Sequence, residues 1–229
     1  MSTIATKKRT PVEGSVEDEG RWVITDVSWG DYERLAKLLP PSFRLAFDGR
    51  NLEIMVAGVR HEMFGWLMMK FAEAVMDHRE IDYFPAGRAT WQRPESERGI
   101  EADACYLLDP GKLEVAKAAH SKGSNDVADY PNPDLAIEVD IPRPKVDRPG
   151  IYAEMGVPEL WRLDGGTPVI ERLGAEARYR PVEVSGWLGV NVAQLRRWVV
   201  EEDSSNAREW SRRMQAWVKK TYKRKKRQG

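Results

Sequence analysis

Between Pro133 and Pro142 the segment PDLAIEVDIP alternates with a period of two, Leu135, Ile137, Val139 and Ile141 falling on one face. That spacing predicts a β-strand. It sits mid-chain, where a buried central strand is expected, yet Glu138 and Asp140 project together from its second face. Two carboxylates at i and i+2 repel, and they are costly to take out of water unless a cation or partner offsets them. A hard divalent cation with oxygen ligands is the simplest such partner. An ordinary solvated strand face is the alternative, so a fold built on this strand must leave one face wet or assemble a charged site against it.

The rest of the chain supplies elements to surround it. Residues 1–20 are small, polar and charged, with nothing to bury, and are expected to be unstructured. Tyr32, Leu35, Leu38 and Leu39 follow at helical spacing, with Asp31 placed to cap and Pro40-Pro41 to stop the helix. FRLAFDGRNLEIM reads as a hairpin: Phe43, Leu45 and Phe47 alternate before the Asp48-Gly49 turn, and Leu52 and Ile54 follow it. Glu53 then faces the side opposite that core. Over residues 61–78, Phe64, Leu67, Met68, Phe71, Ala72, Val75 and Met76 form one helical stripe, the mark of a core helix. His61 and Glu62 open its first turn, where an acid suits the helix dipole; a role beside a metal is the alternative for this pair.

Residues 81–91 and 99–108 predict two more strands. In the second, Asp103 stands between Ala102 and Ala104 and is expected on an otherwise apolar face, where a carboxylate needs a partner. A loop-rich stretch over 109–132, with a short helix near 112–119, leads into the central strand. After it come a helix over 149–155, with Pro149 at its first position and Gly156 at its end, a strand over 158–164 and a hairpin over 169–184. From Asn191 a capped helix carries Val192, Leu195 and Trp198, and another carries Trp210, Met214, Trp217 and Val218.

Composition narrows the function classes. With 229 residues the chain has room for one large domain and a real core. Its single cysteine, Cys105, excludes an internal disulfide and a cysteine-based zinc site, and reads as a buried thiol. No apolar run approaches the ~20 residues a membrane helix needs. The opening MSTIATKKRTP lacks the apolar core of a signal peptide, so a cytoplasmic location is expected. The 36 basic and 36 acidic side chains balance, but unevenly along the chain. Arg208, Arg212, Arg213, Lys219, Lys220, Lys223, Arg224, Lys225, Lys226 and Arg227 face only Glu209, leaving a mildly acidic body with a strongly basic end. The run from Lys219 to Arg227 can hold a polyanion such as nucleic acid, or fold back on the acidic body.

Taken together, LEIM…RHE (Leu52 to Glu62), RGIEADACYLL (Arg98 to Leu108) and PDLAIEVDIPRPKVDRPGIYAEMGVPELWR (Pro133 to Arg162) resemble the Uma-type restriction endonucleases of the PD-(D/E)xK nuclease superfamily. The likeness runs from about Tyr32 to Trp198. It implies an α/β, restriction-endonuclease-like fold: a mixed four- or five-stranded sheet flanked by helices, the nuclease domain over 21–200 and a helical, basic extension over 201–229. Asp103 takes the place of the motif's first acid, with Ala102 where its proline would stand, and Glu138 takes the place of the second. Two residues on, where the superfamily often has lysine, this chain has Asp140. The Uma-type group instead carries a basic residue four before a tyrosine, which here is Arg148 before Tyr152, with Lys145 within reach from the loop.

The resemblance thus implies an endonuclease that hydrolyses phosphodiester bonds, with DNA as the expected substrate. Asp103 and Glu138 would hold Mg²⁺ (or Mn²⁺), with Asp140 and Glu53 or Glu62 completing the shell. Arg148 or Lys145 would stabilise phosphate charge, though an arginine cannot serve as the base. Two readings stand beside it: a non-catalytic nucleic-acid-binding or accessory protein that keeps the nuclease fold, and a purely structural domain. By analogy, a homodimer would serve two scissile strands.

Overall fold

The computed structural model describes residues 20–87 and 89–223. Among these, eleven strands form two sheets. A five-stranded sheet takes β1 (Arg21–Ile24), β2 (Phe43–Phe47), β3 (Leu52–Val56), β5 (Thr90–Arg93) and β6 (Arg98–Glu101), in the order β1-β3-β2-β6-β5. The second takes β4 (Phe84–Pro85), β7 (Ala104–Leu107), β8 (Leu135–Asp140), β9 (Glu159–Asp164), β10 (Thr167–Leu173) and β11 (Tyr179–Pro181), in the order β11-β10-β9-β8-β7-β4. The pair β8–β9 is parallel, and all other pairs among the described strands are antiparallel. A parallel pair needs a crossover, and here α4 (Arg148–Glu154) supplies it, its end turned by Gly156 at φ 67°.

The PDLAIEVD strand is β8, central in its sheet and buried at every position. On one face, Leu135, Ile137 and Val139 pack with Trp161 and Leu163 under α2 (Val59–Arg79), whose predicted Phe64–Met76 stripe is the buried one. The same cluster takes in Leu195 of α5 (Val192–Arg196), Trp198 in the π-helical turn that follows, and Trp210, Met214 and Val218 of α6 (Ala207–Thr221). On the other face, Ala136 meets Cys105, Ile151, Tyr152 and Leu160, together with Ala46, Trp91 and Ile100 from the inner face of the five-stranded sheet. That sheet's outer face carries Leu45, Phe47, Leu52 and Ile54 against Tyr32 of α1 (Trp29–Leu38). The remaining helix, α3 (Pro110–Ser121), is capped by Asp109 and covers Leu107. Among the described residues no helix is long and apolar enough to cross a membrane.

Several expectations change in this architecture. The sheet of four or five strands is two sheets, because both strands predicted over 81–108 break in the middle. Pro85, which lacks an N–H to extend a ladder, ends β4, and the chain crosses to the other sheet before β5. Residues 98–107 divide at Ala102-Asp103: β6 pairs with β2 in one sheet and β7 with β8 in the other. There the carboxylate of Asp103 accepts the Val139 N–H at 2.7 Å and so takes the rung a strand carbonyl would fill. Helix α1 is capped by Ser28 rather than Asp31, which instead accepts from the Ser28 hydroxyl. Glu53 does face away from the Leu52–Ile54 core, but toward a second interior, where it has no exposed surface.

Candidate active site

The charged side chains of the sequence reading meet along the seam between the two sheets, in two adjoining clusters. The first is built on β8. Glu138 and Asp140 alternate with Val139, so they point to the α4 side, and neither has exposed surface. Helix α4 starts directly above them, with Pro149 in its first turn and Asp147 capping through the Gly150 N–H at 3.0 Å. Residues four apart on a helix share a face, so Arg148 and Tyr152 descend together onto Glu138. Arg148 donates to Glu138 Oε2 at 2.7 Å and to Glu53 Oε1 at 2.9 Å, and its Nη1 lies 3.7 Å from Asp140 Oδ1. The Tyr152 hydroxyl donates to Glu138 Oε1.

Glu53 arrives from β3 and gathers further donors. Arg21 of β1 reaches its Oε1 at 2.6 Å, and the main-chain N–H of Lys145 reaches its Oε2 at 2.7 Å. Asp140 is met from β9, where Arg162 donates to its Oδ2 at 3.1 Å and to Glu171 at 2.7 Å. The second cluster sits at the first turn of α2. Asp103 faces His61 Nε2 at 2.9 Å and pairs with Arg44 of β2, which also pairs with Glu62 and lies 3.2 Å from the same imidazole nitrogen.

Burial sets the protonation preferences. It pushes the Glu138 carboxyl up; Arg148 pulls the other way, Asp140 pushes further up, and the Tyr152 hydrogen bond again favours the charged form. Burial also works against the charge of Arg148, but the carboxylates of Glu138, Asp140 and Glu53 outweigh it and hold the guanidinium above its ordinary value. The Tyr152 phenol is raised well above its usual value by burial and then by Glu138, so it stays a donor.

The sequence-predicted residues are thus partly brought together. Glu53, Glu138, Asp140 and Arg148 form one contact network, with the Lys145 main chain at its rim and the Lys145 side chain exposed. Asp103 and Glu62 meet through Arg44. The Asp103 and Glu138 carboxylates have different partners. Asp103 accepts the Val139 N–H but lies on the α2 side, against His61 and Gly65, whereas Glu138 points to the α4 side. Lys219, Lys220 and Lys223 lie at the far end of the molecule from both clusters: α6 runs alongside α2 in the same direction, with Trp210 against Trp66, Trp217 against Phe71 and the Tyr222 carbonyl against His78. The rise of an α-helix puts His78 roughly 25 Å along α2 from His61. Arg224, Lys225, Lys226 and Arg227 lie outside the described residues.

Arg44, Arg21 and Arg162 were not foreseen. Arg44 had a signal: it shares parity with Ala46, which pairs with Glu53 across the hairpin, so both arginine and acid had to face one side. Arg21 had none, because nothing in its sequence marks β1.

Do these residues fit a divalent cation? Their donors are hard carboxylate oxygens, the right kind for magnesium or manganese. Among the described residues the carboxylates of Glu53, Glu62, Asp103, Glu138, Asp140 and Glu171 meet the guanidiniums of Arg21, Arg44, Arg148 and Arg162 and the imidazole of His61. The buried Oδ1 of Asp140 accepts no hydrogen bond. In donor type the residues fit. As placed, no three His, Cys, Asp or Glu side chains among the described residues converge on one point, and Arg148 is the cation between Glu53 and Glu138.

Comparison with known proteins places this arrangement. The model of a protein family described as "Uma2: Putative restriction endonuclease" matches residues 29–203. Among solved structures, a protein described as a "putative nuclease belonging to DUF820" from Anabaena variabilis ATCC 29413 superposes with a TM-score of 0.50 at 11% identity, over 76% of this chain and 99% of that one. The search of curated proteins returned no match.

Proposed function

The chain belongs to the Uma2 family of restriction-endonuclease-like proteins, and from that membership we propose a metal-dependent endonuclease that hydrolyses phosphodiester bonds in DNA. The observation that carries this reading is the set of three fully buried carboxylates, Glu53, Glu138 and Asp140, gathered around one buried guanidinium. Burying three acids is costly, and a structural role needs only enough cations to neutralise them. Here one buried acceptor, the Oδ1 of Asp140, is left without a hydrogen bond.

Asp103 and Glu138 would hold Mg²⁺ or Mn²⁺, with Asp140, Glu53 and Glu62 completing the shell directly or through water. Bound there, the ion supplies Lewis acidity toward the phosphate and a more acidic water. The chain's own groups do the rest. The Arg148 guanidinium, its fork engaged by Glu53 and Glu138, would stabilise charge building on the phosphate through its positive field; with its charge held this firmly it is no base. The exposed Lys145 ammonium stands at the rim to meet the phosphate from the loop. Tyr152 orients Glu138, and Arg162 steadies Asp140. A two-fold pair of such chains would address both strands.

In the test, DNA is incubated with Mg²⁺ or Mn²⁺ and with the Asp103→Ala and Glu138→Ala variants. Cation-dependent nicking that both variants abolish is expected; nicking that survives in both sinks the assignment. The second reading, a non-catalytic nucleic-acid-binding or accessory protein, is favoured by one observation: Arg148 and Arg21 together already neutralise Glu53 and Glu138. It expects salt-sensitive DNA binding and no product at any cation concentration; no heat on titrating Mn²⁺ is what a purely structural domain would give.

A further inference from the structure

Helix α6 lies beyond the residues matched by the family model, yet it is fixed rigidly to the nuclease body. Trp210, Met214 and Val218 are buried against α2, and the Trp210 indole donates to the Trp198 carbonyl at 3.0 Å. The opposite face has a different composition. Arg208, Arg212 and Lys219 recur at helical spacing along one exposed stripe, and exposed Lys223 continues it just past the helix. Among the described residues none of these four makes an ion pair, whereas Arg213, off the stripe, is bound to the Asp203 carbonyl and lies 3.6 Å from Glu202. Of the described basic residues on this helix, Arg213 folds back onto the body, and the stripe of Arg208, Arg212 and Lys219 does not.

We propose that this stripe is a docking surface for the phosphate backbone of double-stranded DNA. The proposal rests on the nuclease reading for its biological sense, not for its geometry. Arg208 to Lys219 spans about 16 Å at the helical rise, and three unpaired cations along a rigid line, with Lys223 just beyond, suit a regular row of phosphates. The line also has a direction. Because α6 runs alongside α2, the Arg208 end lies toward the α2 turn that carries His61 and Glu62, and the Lys223 end lies away from it. Duplex DNA is stiff over such lengths, so a duplex lying on the stripe continues straight past the Arg208 end without bending.

The experiment measures the affinity of a short DNA duplex at several salt concentrations, in EDTA so that no turnover occurs. Wild type is compared with Arg208→Gln/Arg212→Gln/Lys219→Gln/Lys223→Gln and with a control that neutralises four exposed cations elsewhere, Lys37→Gln/Lys117→Gln/Lys122→Gln/Arg178→Gln. The stripe variant is expected to bind tenfold or more weakly at moderate salt, and the slope of log affinity against log salt should fall by about 3 to 4, near 0.9 for each phosphate released. The control should change neither. Equal losses in the two variants, or a stripe variant that binds like wild type, overturn the proposal. Cleavage assays in Mg²⁺ separate the two ideas: absence of product from wild type counts against the nuclease reading, and stripe-dependent binding in EDTA stands regardless.

Discussion

Arg148 holds the site together from inside: one guanidinium, almost without exposed surface, joins acids from two different sheets. Removing it leaves Glu138 as a buried charge with no cation in contact and Glu53 with Arg21 alone, which costs more than the lost hydrogen bonds. Arg148→Met should therefore lower stability by about 3–5 kcal/mol, measured by denaturant unfolding, and Arg148→Lys should recover part of that loss. A second residue makes a pH-dependent contribution. Burial lifts the Glu101 carboxyl from its ordinary 4.5 to about 7, against the opposing pull of its Thr90 hydrogen bond and of Arg44. A carboxyl raised in the fold contributes stability that is complete below its unfolded value and lost as pH climbs through its folded one. Glu101→Gln should match wild type near pH ~4 and be the more stable protein near pH ~8, with the gap opening between 4.5 and about 7. Unfolding curves across that range check it.

At the level of elements, periodicity was an accurate guide wherever one face decided the outcome. The β8 alternation, the α2 stripe and the Asn191 capping box all appear as the residues suggest. It failed where a long-range contact cut an element in two. Nothing local in GIEADACYLL says that Asp103 will take a main-chain donor from a strand 36 residues later and so divide one strand between two sheets. The junction is tight as well as hidden. A Cβ on Gly99 of β6 would lie 2.0 Å from the Tyr32 hydroxyl oxygen, so α1 packs on this strand only because a glycine is there. Gly99→Ala should cost roughly 1–3 kcal/mol through overpacking, seen as a lower denaturation midpoint with an unchanged slope.

Across the whole molecule, the site is assembled from β1, β2, β3, α2, β8, α4, β9 and the bend after β6. Two carboxylates of the set, Asp103 and Glu138, could be placed from their motifs, because a charged residue in an apolar strand declares itself. Arg148 could be placed as well, from the basic residue expected four before Tyr152. Arg21, Arg44 and Arg162 could not, since they come from strands whose pairing is fixed only once both sheets form. The aromatic packing of α6 on α2 joins the end of the chain to the same core. Trp210 has no exposed surface and touches both Trp66 and Trp198. Trp210→Ala should lower stability by about 3–5 kcal/mol, and if α6 positions DNA as proposed, it should also weaken binding of a duplex in EDTA. Calorimetry for the first and the salt titration for the second separate the two effects.

The carboxylate of Asp103 stands in for a peptide oxygen. On the proposed reading, shape and reactivity share one side chain there: deleting it opens a rung between neighbouring strands in addition to removing a proposed metal ligand. Asparagine, which keeps an acceptor oxygen while giving up the charge, is the substitution that lets the architect's share be told from the chemist's.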